Sequence, residues 1–318
     1  MVHSLHSHSG DHCAHAIGKL EDIIERAVEL GFETYGMTEH MPRSREQDLY
    51  PEEVEARMST ADTLRMFREF YAHARSLQAK YKGRIALLVG METENIHAGT
   101  IDEIRAIRVE CPVDYLVGSV HHVHGFPIDY DKEGFARLEA FLVERELGIP
   151  AGQPLTAEQR RAGTEAAFHA YFDAQYELIR QLRPTVVGHF DLINMFRIDH
   201  PLTEATLAKI DRNIDAIVEY GGLVEINSQG WRKGLPGPHP QREIIQRMIP
   251  RGVRFCLSDD SHGPLAVATA YRRVHDYLAE VGIHQVFFPK LAADGSLTIE
   301  SLPNVLSHPF WDNKELDD

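Results

Sequence analysis

Cysteine is scarce in this chain: three residues in 318, Cys13, Cys111 and Cys256, without paired spacing. That argues against a disulfide framework and against a thiolate structural zinc site, and it favours a reducing compartment, the cytoplasm. Positive charge is also short. Lys and Arg total 33 against 48 Asp and Glu, a formal net charge of −15. Non-specific nucleic-acid binding needs a basic footprint, so no nucleic-acid partner is expected. No apolar run reaches the ~20 residues of a membrane span, and the N-terminus lacks a signal-type apolar core. No membrane partner is expected either. A Gly-x-Ser-x-Gly elbow and a Walker loop are both missing, which removes two common hydrolytic chemistries. Short-period repeats and low-complexity tracts are absent.

Histidine is what the chain has in excess, 19 residues. Five of them, His3, His6, His8, His12 and His15, fall within thirteen positions at the N-terminus. His6 and His8 are two apart, so on an extended strand both imidazoles face one side. Neutral imidazole is the commonest protein metal ligand near neutral pH.

Beyond the cluster, strand and helix patterns alternate seven times. Strands are expected at Val2–Leu5, Thr34–Thr38, Ile85–Val89, Tyr115–Val120, Pro184–Val187, Leu223–Ile226 and Val253–Leu257. Helices are expected at Ile17–Leu30, Thr60–Tyr81, Ile101–Val109, after Asp129 to Leu147, at Thr164–Leu182, Thr203–Tyr220, Ile244–Ile249 and Leu265–Val281. A short terminal strand is expected at Gln285–Phe288. Ser44–Glu55 is polar and irregular, suited to a flap. Such alternation builds a parallel sheet covered on both faces. The suggestive polar residues follow the strands: His6 and His8, His40, Glu92, His121, His189, Asn227, Asp260 and His262. In a βα barrel those positions converge on one rim, where barrel enzymes place their chemistry. The expectation is therefore a single α/β domain over 1–318, a barrel of seven strands. It would carry an insertion at about 141–164 and a peripheral tail from about 302.

The candidate set is rich in imidazole and carboxylate, which suits zinc, manganese or iron in a catalytic role. A shared Glu can bridge two ions, and ions about 3.5–4 Å apart clamp the attacking and leaving oxygens of a hydrolysis.

Taken in order, His6-Ser-His8, His15, Thr38-Glu39-His40, Gly90-Met-Glu92, Gly118-Ser-Val-His121-His122, Val187-Gly-His189-Phe-Asp191 and Asp260-Ser-His262 resemble the motifs of the PHP (polymerase and histidinol phosphatase) superfamily. The flanking text is narrower. Ser7-His8-Ser9-Gly10-Asp11, Thr38-Glu39-His40-Met41-Pro42-Arg43, Gly118-Ser119-Val120-His121-His122-Val123, Glu225-Ile226-Asn227 and Leu257-Ser258-Asp259-Asp260-Ser261-His262 resemble its monofunctional histidinol-phosphate phosphatase branch. A His-x-His pair alone is weak. Seven motifs in order, each at a strand end, are specific.

The resemblance implies a distorted seven-stranded (β/α) barrel with three divalent or transition-metal ions. His6, His8, Glu92 and Asp260 would surround one ion. Glu92 would bridge to a second, held with His121 and His189. His15, His40 and His262 would hold the third. Asp259 competes with Asp260, which is favoured by the Asp-x-His text ending at His262. His12 competes with His15, which lies nearer the family's usual offset from the His-x-His pair. The implied reaction is hydrolysis of L-histidinol phosphate to L-histidinol and phosphate, by metal-bound hydroxide held at Glu92 and Asp260. Arg197 is the first candidate for the phosphoryl group, with Arg43 and Arg232 beside it and Lys233 weaker. Asn227 would orient substrate or fix the rim backbone, and Glu225 is either a functional or a core carboxylate. A metal-bound water, His122 or Asp129 would protonate the leaving alcohol. His73, His97, His169, His200, His239, His275, His284 and His308 are expected on surfaces or caps. Rival readings are another phosphoesterase of the superfamily, a nuclease, or a non-catalytic metal-binding barrel.

Overall fold

The computed structural model describes residues 1–150 and 153–316. Seven parallel strands form the central sheet: β1 (His3–Ser4), β2 (Thr34–His40), β3 (Ala86–Glu92), β4 (Tyr115–Gly118), then, after a small antiparallel hairpin of β5 (His122–Val123) and β6 (Phe126–Pro127), β7 (Val186–Val187), β8 (Leu223–Asn227) and β9 (Arg254–Ser258). Their order in the sheet is their order in the chain. The last strand returns to the first. Leu5 N–H donates to the Leu257 carbonyl at 3.2 Å and His8 N–H to the Ser261 carbonyl at 2.7 Å, so the sheet is a nearly closed barrel. Strand β7 has only two residues, which is part of the distortion.

The helices follow from the apolar periodicity, with boundaries set by caps. Helix α1 (Leu20–Leu30) buries Leu20, Ile23, Ile24, Ala27 and Leu30 and stops at Gly31, whose φ of 87° favours glycine. It starts at Leu20 and not at the expected Ile17, which is 65% exposed, because Asp11 accepts the Leu20 N–H at 2.9 Å. The expected flap is partly regular: a 3₁₀ turn at Glu46–Asp48 leads to α2 (Pro51–Glu55). Next come α3 (Thr60–Lys80) and α4 (Thr100–Glu110), then α5 (Lys132–Leu147) and α6 (Ala157–Leu182), packed on each other. Helix α6 begins seven residues before the expected Thr164, because Thr156 and Gln159 form a capping box. The expected insertion at 141–164 includes Ala151 and Gly152, which lie outside the described residues. Its described ends belong to α5 and α6, where Thr164 donates to Glu139 at 2.6 Å. The chain closes with α7 (Glu204–Tyr220), α8 (Gln229–Arg232), α9 (Arg242–Met248) and α10 (Tyr271–Val281).

A hairpin of β10 (Gln285–Leu291) and β11 (Leu297–Pro303) then packs Phe287, Leu291, Leu297 and Ile299 against an apolar cluster of Leu5, Leu88, Tyr115, Val117, Val186, Leu223 and Cys256. Tyr115 crosses that interior to donate to the Leu5 carbonyl at 2.6 Å. Gly36 makes room for it: a Cβ there would come within 2.0 Å of the Tyr115 hydroxyl. The tail from 302 is less peripheral than expected. Val305, Phe310, Trp311 and Leu316 are buried, and Phe310 sits 4.9 Å, ring to ring, from Phe32. No helix among the described residues is long and apolar enough to cross a membrane.

His3 seals the barrel seam. Its Nε2 accepts the Leu257 N–H at 3.0 Å, and its Nδ1–H donates to the Met1 carbonyl at 3.0 Å. That pattern needs a neutral ring, and burial pulls the His3 pKa down to about 4 from 6.5. As pH falls from about 6.5 to 4 the unfolded chain takes up this proton first, so the site loses about 3 kcal/mol of stabilisation across that window. We expect His3→Leu to cost about 1–3 kcal/mol near pH 7.5. The wild-type lead should shrink between pH 6.5 and 4 in urea unfolding; a lead that does not change with pH would sink the neutral-acceptor account.

Candidate metal centre

The seven strand ends converge above the barrel interior, and Glu92, the last residue of β3, stands in the middle, 1% exposed. Its Oε1 lies 3.0 Å from His189 Nε2, 3.2 Å from His6 Nε2 and 3.3 Å from His121 Nε2. Its Oε2 lies 3.1 Å from His40 Nδ1 and 3.3 Å from His8 Nε2. One carboxylate thus faces five imidazoles, with its two oxygens turned to different groups. Asp260 adds Oδ1 at 3.7 Å from both His6 and His8 Nε2. Its φ of 47° is a left-handed conformation that non-glycine residues seldom adopt, and it directs the carboxylate inward. Asp259 faces the other way. It accepts from the Ser4 hydroxyl at 2.8 Å and the Ala268 N–H at 2.8 Å, and burial raises its pKa to about 6.

Imidazole nitrogens face one another in pairs. The Nε2 atoms of His6 and His8 are 3.1 Å apart, those of His121 and His189 3.2 Å, and those of His15 and His40 3.3 Å. A tetrahedral ion with bonds of about 2.0–2.1 Å to nitrogen sets its ligand atoms about 3.3 Å apart, so the donor set fits zinc or a similar ion. Metal-compatible groups include His6 with His8 and Asp260, and His8 with His40 and His262. The ring of His262 lies 4.7 Å from that of His8 and 5.2 Å from that of His15. Cys13 was not anticipated: its Sγ is 3.3 Å from His15 Nε2, in a group with His15 and His40.

Carboxylates behind the imidazoles hold the other ring nitrogens, which orients the metal-facing ones. His8 Nδ1 meets Glu39 Oε2 at 3.1 Å, and His6 Nδ1 meets Glu225 Oε2 at 3.3 Å. Glu94 sets its negative charge beside two rings, at ion-pair distances of 2.7 Å from His40 Nδ1 and 2.9 Å from His121 Nδ1. The carbonyl of Asp260 takes His262 Nδ1 at 2.9 Å. Glu94 follows Glu92 at the same two-residue spacing as His6 and His8, and that spacing is the sequence signal for its place at the site. Glu39 precedes His40 and points to the other side, as strand alternation requires.

The electrostatics favour positive charge here. Burial alone would neutralise His121, but Glu94 and Glu92 outweigh it and push its pKa up to about 10. His6 and His40 are raised against the same burial by Asp260, Glu92 and Glu94. Burial opposes ionisation of Glu92, Glu94 and Asp260, yet the facing cations hold all three well below the carboxylate range. His15 and His262, buried beside other imidazoles, are lowered to about 2 and about 3.

A cavity of about 430 Å³ opens on the cluster. Its walls include Tyr50, Glu52, Asp129, Tyr130, Arg232 and Lys233. Two of the three expected phosphate arginines are elsewhere. Arg197 forks onto Glu139 at 2.7 and 2.6 Å and covers the Phe135 ring, because the 3₁₀ turn Leu192–Phe196 swings it toward α5. Arg43 is buried against Glu94 at 3.3 Å, the Met41 carbonyl and the Tyr50 ring. Asn227 is occupied by Glu225, Asp260 and the Gln229 N–H, so it braces the rim. His122 is buried and lines a neighbouring cavity; burial lowers its pKa to about 4, which leaves it neutral at pH 7 and poorly suited to donate as imidazolium. His12 turns away from the cluster to meet His73. His239, expected on a surface, is buried with Nδ1 2.6 Å from Asp191.

Glu94→Gln removes the buried negative charge beside the His40 and His121 rings and leaves Arg43 without its carboxylate. We expect metal affinity of the Glu92 cluster to fall about 10–100-fold, read by competition with a chromophoric chelator. Wild-type affinity in a folded variant would show that Glu94 does not orient the ligands.

The chain matches the model of the PHP domain over residues 4–229. It is 37% identical over 313 residues to the Schizosaccharomyces pombe protein named "Probable histidinol-phosphatase", covering 97% of this chain and 95% of that one. It is 30% identical to the Saccharomyces cerevisiae histidinol-phosphatase, covering 98% of this chain and 100% of that one. The fold resembles the histidinol phosphate phosphatase of Lactococcus lactis, crystallised with zinc, L-histidinol and phosphate, at a TM-score of 0.64 and 16% identity over 93% of this chain and 98% of that one. A PHP domain match over most of the chain, together with full-length relatives at these identities, makes this protein a member of the histidinol-phosphatase family.

Proposed function

We propose that the protein hydrolyses L-histidinol phosphate to L-histidinol and phosphate at a centre of three divalent ions, zinc, manganese or iron. The observation that carries this reading is Glu92, whose two oxygens face separate imidazole groups on the floor of the cavity. His6, His8, Asp260 and Glu92 would hold one ion, and Glu92, His121 and His189 a second. His15, His40 and His262 would hold the third, with Cys13 beside it. Bound ions would stabilise charge on the phosphoryl oxygens and supply a water that ionises near neutral pH.

The protein side chains then have two tasks. Arg232 and Lys233 bring positive charge to the cavity wall and would hold the phosphoryl oxygens. Glu52 and Asp129 bring negative charge to the same cavity, suited to the ammonium and imidazole of the substrate. Glu52 lines the cavity, and its Oε2 is buried without a hydrogen-bond partner among the described residues, so its charge is uncompensated there. Tyr50 keeps this wall in place: its hydroxyl donates to Glu94 at 3.0 Å and its ring lies under Arg43. A substrate with an anionic and a cationic end matches a wall carrying both signs. The three cysteines are free and buried, consistent with a reducing cytoplasm.

Metal-replete protein should release phosphate from histidinol phosphate, and a chelated sample should not. Glu92→Ala should abolish turnover and lower the metal content; full turnover with full metal would overturn the shared-ligand assignment. Equal kcat/KM for an aryl phosphate or a nucleotide would overturn the substrate. Glu52→Gln should raise KM for histidinol phosphate about tenfold, the scale of one charge-assisted contact, while KM for the aryl phosphate stays unchanged.

A further inference from the structure

We propose that Asp11, His12 and His73 form a separate divalent-metal site outside the catalytic cavity, one that fastens the loop carrying His15 to helix α3. His12 Nε2 and His73 Nδ1 are 3.1 Å apart, and an Asp11 carboxylate oxygen completes a set lying within 4.8 Å of one another. The nitrogen spacing is that of the facing imidazole pairs in the centre, and it is close to the edge of a tetrahedral zinc site.

The local fold builds this arrangement. The N–H groups of His12 and Cys13 both donate to the Ser9 carbonyl, at 3.0 and 2.8 Å, which makes a tight turn. That turn separates His12 from Cys13 and His15: the latter two go to the metal centre, and His12 goes to α3. The His12 ring rests edge-on against Phe70 at 5.7 Å and meets the His73 ring at 65°. Asp11 spends one oxygen on the Leu20 N–H, which fixes its carboxylate at the start of α1. Glu69, one helical turn before His73, adds negative charge around His12. Two imidazoles and a carboxylate are a borderline-metal donor set, with room for water as a fourth ligand. An ion here joins the loop that carries His15 to α3, with Asp11 already tied to the first turn of α1.

The test uses the full chain and zinc alone, titrated against a chromophoric chelator. Wild type should bind one zinc equivalent more than His73→Ala. His12→Ala should lose the same equivalent, and the double variant no more. His73 is half-buried in a helix interior, where alanine keeps helix propensity; circular dichroism confirms folding, and His73→Gln serves as a second variant. With cobalt, the His73 variants should lose one equivalent of visible absorption while turnover on histidinol phosphate is retained. Equal zinc counts in wild type and all variants would overturn the proposal, as would an extra wild-type equivalent bound only at millimolar zinc. Glu92→Ala separates this claim from the catalytic one, since it should lose central zinc and keep the equivalent that depends on His73.

Discussion

The buried negative charge around Glu92 is the constraint on which the rest of the structure turns. Glu92, Glu94, Glu225, Glu39 and Asp260 are all 5% exposed or less, and they lie within one cluster. Removing an ion from water costs several kcal/mol even after relaxation. Unpaired, these carboxylates could not remain ionised. The imidazoles compensate them, and the same geometry turns lone pairs toward a cation. Protons on His6, His40 and His121 and metal ions are therefore alternative ways of meeting one charge requirement. Metal uptake must displace those protons, so binding and protonation are coupled by construction.

Such a cluster needs a scaffold that does not relax when charges are crowded together. The barrel provides it by closing on itself through Leu5, His8 and His3, and by an interior cluster around Tyr115 against which the hairpin side chains pack. Strand register then decides which side chains meet. His40 pairs with Glu92 across β2 and β3, and Asn227 with Ser258 across β8 and β9. A one-residue slip would turn each of these to the opposite face. The centre is thus as well defined as the ladder beneath it.

Much of this was legible in the chain because strand ends carry the chemistry. A βα alternation and a polar residue after each strand suffice to expect convergence, and His6, His8, His40, Glu92, His121, His189, Asp260 and His262 do meet. Local rules could not decide what a loop does after leaving its strand. Arg197 follows a ligand-bearing strand, yet a 3₁₀ turn sends it to Glu139. Arg43 follows His40 closely, yet Glu94 is the nearer anion. The buried role of His239 depends on Asp191, 48 residues away, and the thiol of Cys13 reaches the cluster only through the Ser9 turn. Capping chemistry explains the displaced starts of α1 and α6, where Asp11 and Thr156 set the first turn. Phe310 and Trp311 anchor the tail from 302, and being apolar without periodicity they leave no local pattern that announces their burial.

The centre and the cavity wall have different origins, and this divides their functions. Floor residues come from strand ends, whose positions the barrel dictates. Wall residues come from connecting segments: Glu52 from α2, Asp129 from the loop before α5, Arg232 from α8 and Lys233 just after it. Loops tolerate change that strand ends do not. On the proposed reading the reaction class belongs to the barrel, and substrate choice belongs to these three connecting segments. The placement of Tyr50 sets a limit on that freedom. It lines the cavity, donates to Glu94 and covers Arg43, so remodelling the segment before α2 reaches the carboxylate beside His40 and His121. A change of substrate specificity made near Glu52 will cost metal affinity to the extent that it moves Tyr50. The same change made at Arg232 or Lys233 carries no such coupling through Glu94.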